Sequence, residues 1–236
     1  MDSRRVVALI PAAGRGLRMG GPVPKQFLAL GGFPLIVHSL RAFQSAAVID
    51  AVVLAVPESD VDYCRSDIVR AYGFTKVAQV VAGGKERQDS VRLALSRVGS
   101  DTEIVVVHDA VRPFVTVRMI DDVVAAARTG GAAIVALPMR DTVKHVRPDR
   151  VIERTVDRTP LWLAQTPQAF RREWLAEAHR KAQLEGVQAT DDAYLIEWFG
   201  RPVSVVEGNG ENIKVTRPED LFIGEAILSS RRSSTT

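Results

Sequence analysis

Short, mainly apolar runs alternate along the chain with longer stretches in which apolar residues recur every three or four positions. Residues 6–10, 51–56, 77–81, 104–107 and 132–137 are of the first kind, rich in Val, Ile and Ala. A strand with a near-continuous apolar sequence is one buried on both faces, as in a parallel sheet covered by helices. Residues 35–43, 59–71, 90–98 and 119–127 carry the helical spacing. The alternation predicts an α/β fold, a mostly parallel twisted sheet flanked by helices, with right-handed crossovers.

The pattern breaks after Pro138. Residues 141–146 and 151–156 each read as a strand, joined by the turn Arg147-Pro148-Asp149-Arg150. Neither is apolar enough for the centre of a sheet. A projecting β-hairpin arm at about 139–161 is predicted instead. An isolated hairpin is unstable in water, so it needs a surface to pack on, and a second subunit is the natural candidate. Helical patterns return at 171–184 and 191–199, followed by a strand at 203–206 and an extended piece at 213–216. The last helix begins at Arg217-Pro218-Glu219-Asp220, with Pro near its first turn and acids behind it.

A length of 236 residues with 46% apolar and 25% charged residues fits one globular domain spanning 1–236, closed by a short polar tail at about 230–236. Cys64 is the only cysteine, so no intrachain disulfide forms, and its surroundings mark it as a packing residue. The net charge of +3 is too small and too dispersed for a nucleic-acid binder. No apolar run reaches the roughly 18 residues that span a bilayer. The apolar run before Pro11 is too short for a secretory signal. A cytoplasmic protein, without membrane or nucleic-acid partners, is the expectation.

The first strand runs straight into Pro11-Ala12-Ala13-Gly14-Arg15-Gly16-Leu17-Arg18-Met19-Gly20-Gly21. Small residues there let backbone amides approach a phosphate chain. Arg18 and Lys25 supply cations, one a two-donor fork and the other a mobile point charge. Together these describe a triphosphate cradle. It is not a Walker A loop, because no Gly-Lys-Ser/Thr closes it, and its glycines do not keep strict Gly-x-Gly-x-x-Gly spacing. Asp109 follows the predicted strand 104–107 at its carboxyl end, where open α/β sheets bind ligands. A carboxylate there can hold a magnesium ion; the alternative is a turn or cap aspartate. His108 reads as a packed, hydrogen-bonded histidine rather than an acid-base group. Gly83, Gly84 and Ser90 flank another strand end and, taken alone, read as a turn and a helix start. Lys214, taken alone, reads as a solvent-facing lysine.

Pro11-Ala12-Ala13-Gly14-x-Gly16-x-Arg18-Met19 followed by Pro24-Lys25-Gln26-Phe27-Leu28 resembles the opening of the 2-C-methyl-D-erythritol 4-phosphate cytidylyltransferases. The resemblance continues through Gly83-Gly84-x-x-Arg87-x-x-Ser90-Val91, Val107-His108-Asp109-Ala110-Val111-Arg112-Pro113 and Asp141-Thr142-x-Lys144. It extends to Gln165-Thr166-Pro167-Gln168-x-Phe170, Thr190-Asp191-Asp192-Ala193 and Asn212-Ile213-Lys214-Val215-Thr216. Lys85 stands where that family often carries an acid, and Pro160 is a further departure.

The resemblance implies a Rossmann-like nucleotidyltransferase fold and a role for each motif. Arg18, Lys25 and Lys214 become the catalytic cations around the triphosphate. Ala12, Ala13, Gly14, Gly83, Gly84, Ser90 and Ala110 become the CTP site. Asp109 becomes the Mg²⁺ ligand and, with Arg112, Thr142, Arg158 and Thr166, part of the site for the phosphorylated polyol. The arm is implied to cross a homodimer and lend residues to the partner's site. The implied reaction is in-line transfer of CMP from CTP, with an anionic phosphate oxygen as nucleophile and no general base. Ribitol 5-phosphate transfer, a related nucleotidyltransferase using another base or a sugar 1-phosphate, and a catalytically silent nucleotide binder are the alternatives. The cyclase that some relatives carry downstream is not expected here.

Overall fold

The computed structural model describes residues 5–14 and 23–233. In chain order the elements are β1 (Arg5–Pro11), β2 (Ala29–Leu30), β3 (Phe33–Pro34), α1 (Leu35–Ser45), β4 (Ala51–Val56), α2 (Val61–Tyr63), β5 (Val77–Ala82), α3 (Arg87–Leu95) and β6 (Thr102–Val107). They continue as α4 (Val117–Gly130), β7 (Ala132–Pro138), β8 (Val143–Val146), β9 (Ile152–Val156), β10 (Trp162–Arg171), α5 (Arg172–Glu185), α6 (Asp192–Trp198), β11 (Ser204–Glu207) and α7 (Pro218–Ser233). Helix α2 carries on as a π-helical stretch, Cys64–Arg70.

The main sheet has seven strands in the order β11-β7-β10-β6-β1-β4-β5. All neighbours run parallel except β10, which is antiparallel to both β6 and β7. Alternate residues of each central strand point to opposite faces. Val6, Ala8 and Ile10 join α1, α4 and Ile68 in one core cluster, while Val7 and Leu9 join α3, α5 and α6 in the other. The five predicted apolar runs are therefore five strands; those of β1, β4, β6 and β7 are covered on both sides, whereas β5, at the sheet edge, leaves Ala78 and Gln79 exposed.

Strand β10 has no counterpart in the sequence reading. Pro167 lies in its middle, and proline ordinarily argues against a central strand because it cannot donate to the ladder. Here the register shifts between Ala164 and Gln168 on the β7 side, which takes Pro167 out of the pairing. Helix α3 begins at Arg87, ahead of the predicted start, held by a capping box between Glu86 and Asp89.

Strands β8 and β9 form a separate two-stranded hairpin whose residues are nearly all exposed. At its base the Met139 amide donates to Leu161 O at 2.9 Å, so the two ends of the arm are adjacent. Helix α7 extends to Ser233, so the first residues of the expected tail are helical. Arg231 there pairs with Glu211 at 2.8 Å. Cys64 is fully buried, and burial pushes its thiol pKa up to about 12, in keeping with a packing role. No helix among the described residues is long and apolar enough to cross a membrane.

Candidate active site

The chain passes from β1 outward through β4 to β5, then returns to place β6 on the other side of β1. That reversal makes the carboxyl ends of β1 and β6 the topological switch point, where open sheets leave a crevice. A cavity of about 230 Å³ opens there. Its wall brings together Ala12, Ala13 and Gly14 after β1, Lys25, Gly84 and Ser90, Asp109 and Ala110 after β6, and Lys214 from the far end of the chain. Arg18 lies outside the described residues.

The cavity is narrow because backbones touch behind it. A Cβ on Gly83 would sit 2.4 Å from Ala13 Cβ and 2.9 Å from Ser90 Oγ, so no side chain fits. The Gly84 amide donates to Ser90 Oγ at 3.0 Å, and that hydroxyl donates to Glu86 O at 3.1 Å. Lys25 enters from a short helical turn, and Gln26 beside it is buried, with no partner for either side-chain amide atom among the described residues.

Asp109 is 6% exposed and sits among cations. Arg87 Nε donates to its Oδ1 at 2.8 Å, Lys214 Nζ to its Oδ2 at 2.6 Å, and Arg112 Nε lies 4.0 Å from Oδ2. Burial alone would raise its pKa. The charges of Arg87 and Lys214 outweigh burial and hold the carboxyl far below the usual range, so it is ionised at any physiological pH. The reciprocal effect appears at Arg87, where burial lowers the pKa but Asp192 and Asp109 raise it further.

The backbone of Asp109 is fixed by a buried polar chain. Its amide donates to Thr166 Oγ1 at 3.1 Å, and Thr166 Oγ1 lies 3.0 Å from His108 Nδ1. His108 Nε2 lies 3.2 Å from Arg112 O, an oxygen that only accepts. The proton is therefore on Nε2, and the Thr166 hydroxyl donates to Nδ1. Burial drives the His108 pKa down to about 3, so the ring is neutral and structural, as its sequence context suggests.

Lys214 lies on irregular chain, yet it is well anchored. Val215 N donates to Val111 O at 2.9 Å. Asn212, fully buried, donates from Nδ2 to Thr166 O at 2.9 Å and to Gln165 Oε1 at 3.2 Å, while its own carbonyl accepts from Arg112 Nη1 at 2.8 Å. Thr166 and Arg112 thus sit directly behind and beside Asp109. Thr142 and Arg158 lie on the exposed arm, away from this cavity, and Arg158 Nη1 donates to Arg140 O.

The residues given no role from sequence are Arg87, Asp192, Gln165 and Asn212. One signal did exist for Asp192. Helical spacing puts it on the same face as the buried Leu195 and Ile196, an unusual place for an unpaired acid.

These motifs and this geometry coincide with a known family. The chain matches the sequence profile of 2-C-methyl-D-erythritol 4-phosphate cytidylyltransferase over residues 6–230. The chain belongs to this family. The cytidylyltransferase of Syntrophus aciditrophicus is 49% identical to it over 95% of this chain and 96% of its own. That of Pelotomaculum thermopropionicum is 47% identical over 97% and 96%. Among solved structures, the 4-diphosphocytidyl-2C-methyl-D-erythritol synthase of Anaerococcus prevotii superposes with a TM-score of 0.85 at 32% identity, covering 97% of both chains. The cytidylyltransferase of Thermus thermophilus gives 0.78 at 36%, covering 94% of this chain and 98% of that one. The Rossmann-like nucleotidyltransferase fold expected from the sequence is therefore the fold observed. The protein is a nucleotidyltransferase, and its cavity lies where the cytidylyltransferase motifs meet.

Among the described residues no group of three or more His, Cys, Asp or Glu side chains could enclose a metal. Glu86 and Asp109 are the carboxylates on the cavity wall. That sparse set suits Mg²⁺, which binds through one or two carboxylates, keeps waters and takes its other ligands from phosphates.

Proposed function

We propose that the chain transfers CMP from CTP to 2-C-methyl-D-erythritol 4-phosphate, giving 4-diphosphocytidyl-2-C-methyl-D-erythritol and pyrophosphate, in the cytoplasm. The observation that carries this reading is the convergence of Lys25, Lys214 and Asp109 on one cavity at the sheet switch point. In the reaction an oxygen of the acceptor phosphate forms a bond to the α-phosphorus of CTP. The bond from that phosphorus to the bridging oxygen breaks, and pyrophosphate leaves with the electron pair.

The nucleophile is already anionic, so no base is needed, and the neutral, buried His108 is consistent with that. What remains for the protein is positioning and charge stabilisation. Ala12, Ala13, Gly14, Gly83, Gly84, Ser90 and Ala110 hold the cytidine. Lys25 and Lys214 stabilise the crowded α-phosphate, and Arg18 holds the β- and γ-phosphates. Asp109 would hold Mg²⁺ with the triphosphate, where the ion neutralises charge on the leaving pyrophosphate.

Arg112 and Thr166 serve the acceptor from the same chain. Thr142 and Arg158 serve it from the arm of a partner subunit. Val146, Val151, Ile152, Trp162 and Leu163 leave large apolar side chains exposed on and beside the arm, which supports its burial against a second copy.

Pyrophosphate release with CTP, Mg²⁺ and each of two acceptors tests the reading. Turnover is expected with 2-C-methyl-D-erythritol 4-phosphate and CTP. Preference for ribitol 5-phosphate, or for another nucleoside triphosphate, would refute it.

A further inference from the structure

Arg87 lines the cavity, but its guanidinium is committed inward. Nε donates to Asp109 Oδ1 at 2.8 Å and Nη1 donates to Asp192 Oδ2 at 2.7 Å. The two carboxylates belong to different layers, Asp109 to the loop after β6 and Asp192 to the start of α6. Behind Asp192, His179 of α5 approaches Oδ1 at 3.3 Å.

Asp192 and His179 are 1% and 2% exposed, and neither lines the cavity. Burying a carboxylate is costly unless it is paired, and a pair is seldom more stable than well-packed apolar side chains. A second buried acid whose charged partner faces the site therefore calls for a reason beyond packing. The division of labour at Asp109 supplies one. Its Oδ1 is taken by Arg87, which the α5–α6 layer holds fixed. Its Oδ2 is taken by Lys214, whose side chain is 36% exposed and can leave.

We infer that Arg87, braced by Asp192 and His179, is a positioning residue that fixes the Asp109 carboxylate through Oδ1, so that Oδ2 keeps its aim when Lys214 moves to the triphosphate. A lysine is a poor substitute, because its compact ammonium does not reproduce the spaced, planar donors that reach Asp109 from Nε and Asp192 from Nη1. The inference rests on the cytidylyl-transfer reading of the same cavity.

Asp192→Asn keeps the shape and removes the brace. The expected result is a folded variant whose kcat falls about 10- to 100-fold while KM for CTP moves less than about threefold. The Mg²⁺ concentration for half-maximal rate is expected to rise several-fold. Arg87→Lys is the second variant, and the double variant is expected to be no worse than the poorer single one, since the two residues act as a unit. A lower melting temperature with unchanged kcat and Mg²⁺ requirement, or additive losses in the double variant, would overturn the inference.

A substrate-independent arm follows the Arg87 Nε–H by ¹⁵N NMR, assigned by its absence in Arg87→Lys. Its exchange with water is expected to quicken at least about tenfold in Asp192→Asn; unchanged exchange would also overturn the inference. A wild-type protein without turnover would sink the transfer reading instead, and the NMR result alone would then decide the brace.

Discussion

The Lys214 ammonium donates to Asp109 Oδ2 at 2.6 Å, joining the end of the chain to the carboxyl end of a central strand. In the unliganded chain each neutralises the other. On the cytidylyl-transfer reading proposed above, a nucleotide triphosphate entering the cavity would compete for the lysine and leave the carboxylate oxygen for a cation.

Lys214→Ala removes both functions. Its activity with CTP is expected to fall about 10²–10³-fold in kcat. Arg87 and Arg112 still face Asp109, so the cooperative thermal transition is expected to survive. Steady-state pyrophosphate release and circular dichroism melting check the two parts. An inactive variant that is also unfolded would assign Lys214 to stability instead.

Lys25 shares the cavity and lies beside Gly14. If its contact forms mainly in the transition state, Lys25→Ala lowers kcat about 10²–10³-fold and moves KM for CTP much less. Near-normal turnover would remove it from the mechanism.

The buried neutral His108 makes stability depend on pH. Its folded pKa is lowered to about 3, so only the unfolded chain takes up a proton between the ordinary histidine value and that point. Stability is therefore full above about pH 6.5 and declines as pH falls toward 3. Between about pH 6.5 and 5 the loss from this one group is about 1.5 kcal/mol. His38, also lowered by burial, acts in the same direction. Denaturant unfolding at pH 7.5, 6 and 5 is expected to show this decline, and His108→Gln to flatten it. A variant with the wild-type slope would contradict the assignment.

Removing the arm tests the shared site. A chain of residues 1–138 and 161–236, closed by a short Asn-Gly turn, keeps the main sheet because the arm's ends already adjoin. It is expected to sediment as a monomer, to bind CTP within about threefold of normal by calorimetry, and to lose at least about 10²-fold in turnover. A fully active dimer would end the arm's role.

The parts of the fold that the sequence reveals are those where one chemical pattern has one meaning. Residues 51–56 are apolar throughout and form a strand buried on both faces. Strand β10 is hidden because Pro167 contradicts local propensity and is accommodated only by a register shift against β7. At the site, the placement of Ala12, Ala13, Gly14 and Asp109 at the carboxyl edge of the sheet is legible from position alone. Lys214 is legible only through family resemblance, because its placement comes from the buried Asn212 contacts rather than from any local pattern. Arg87 and Asp192 stay hidden for a similar reason. Arg87 looks like an ordinary surface charge, and Asp192 shows only that it sits on a buried helix face, until the fold brings α3 and α6 together.

The structure of the protein with CTP and Mg²⁺ bound tests the central claim most directly. The triphosphate is expected in the cavity between β1 and β6, with Lys25 and Lys214 both at hydrogen-bonding distance from phosphate oxygens and Lys214 withdrawn from Asp109. A nucleotide bound elsewhere, or Lys214 still seated on Asp109 beside an unattended phosphate chain, would contradict it.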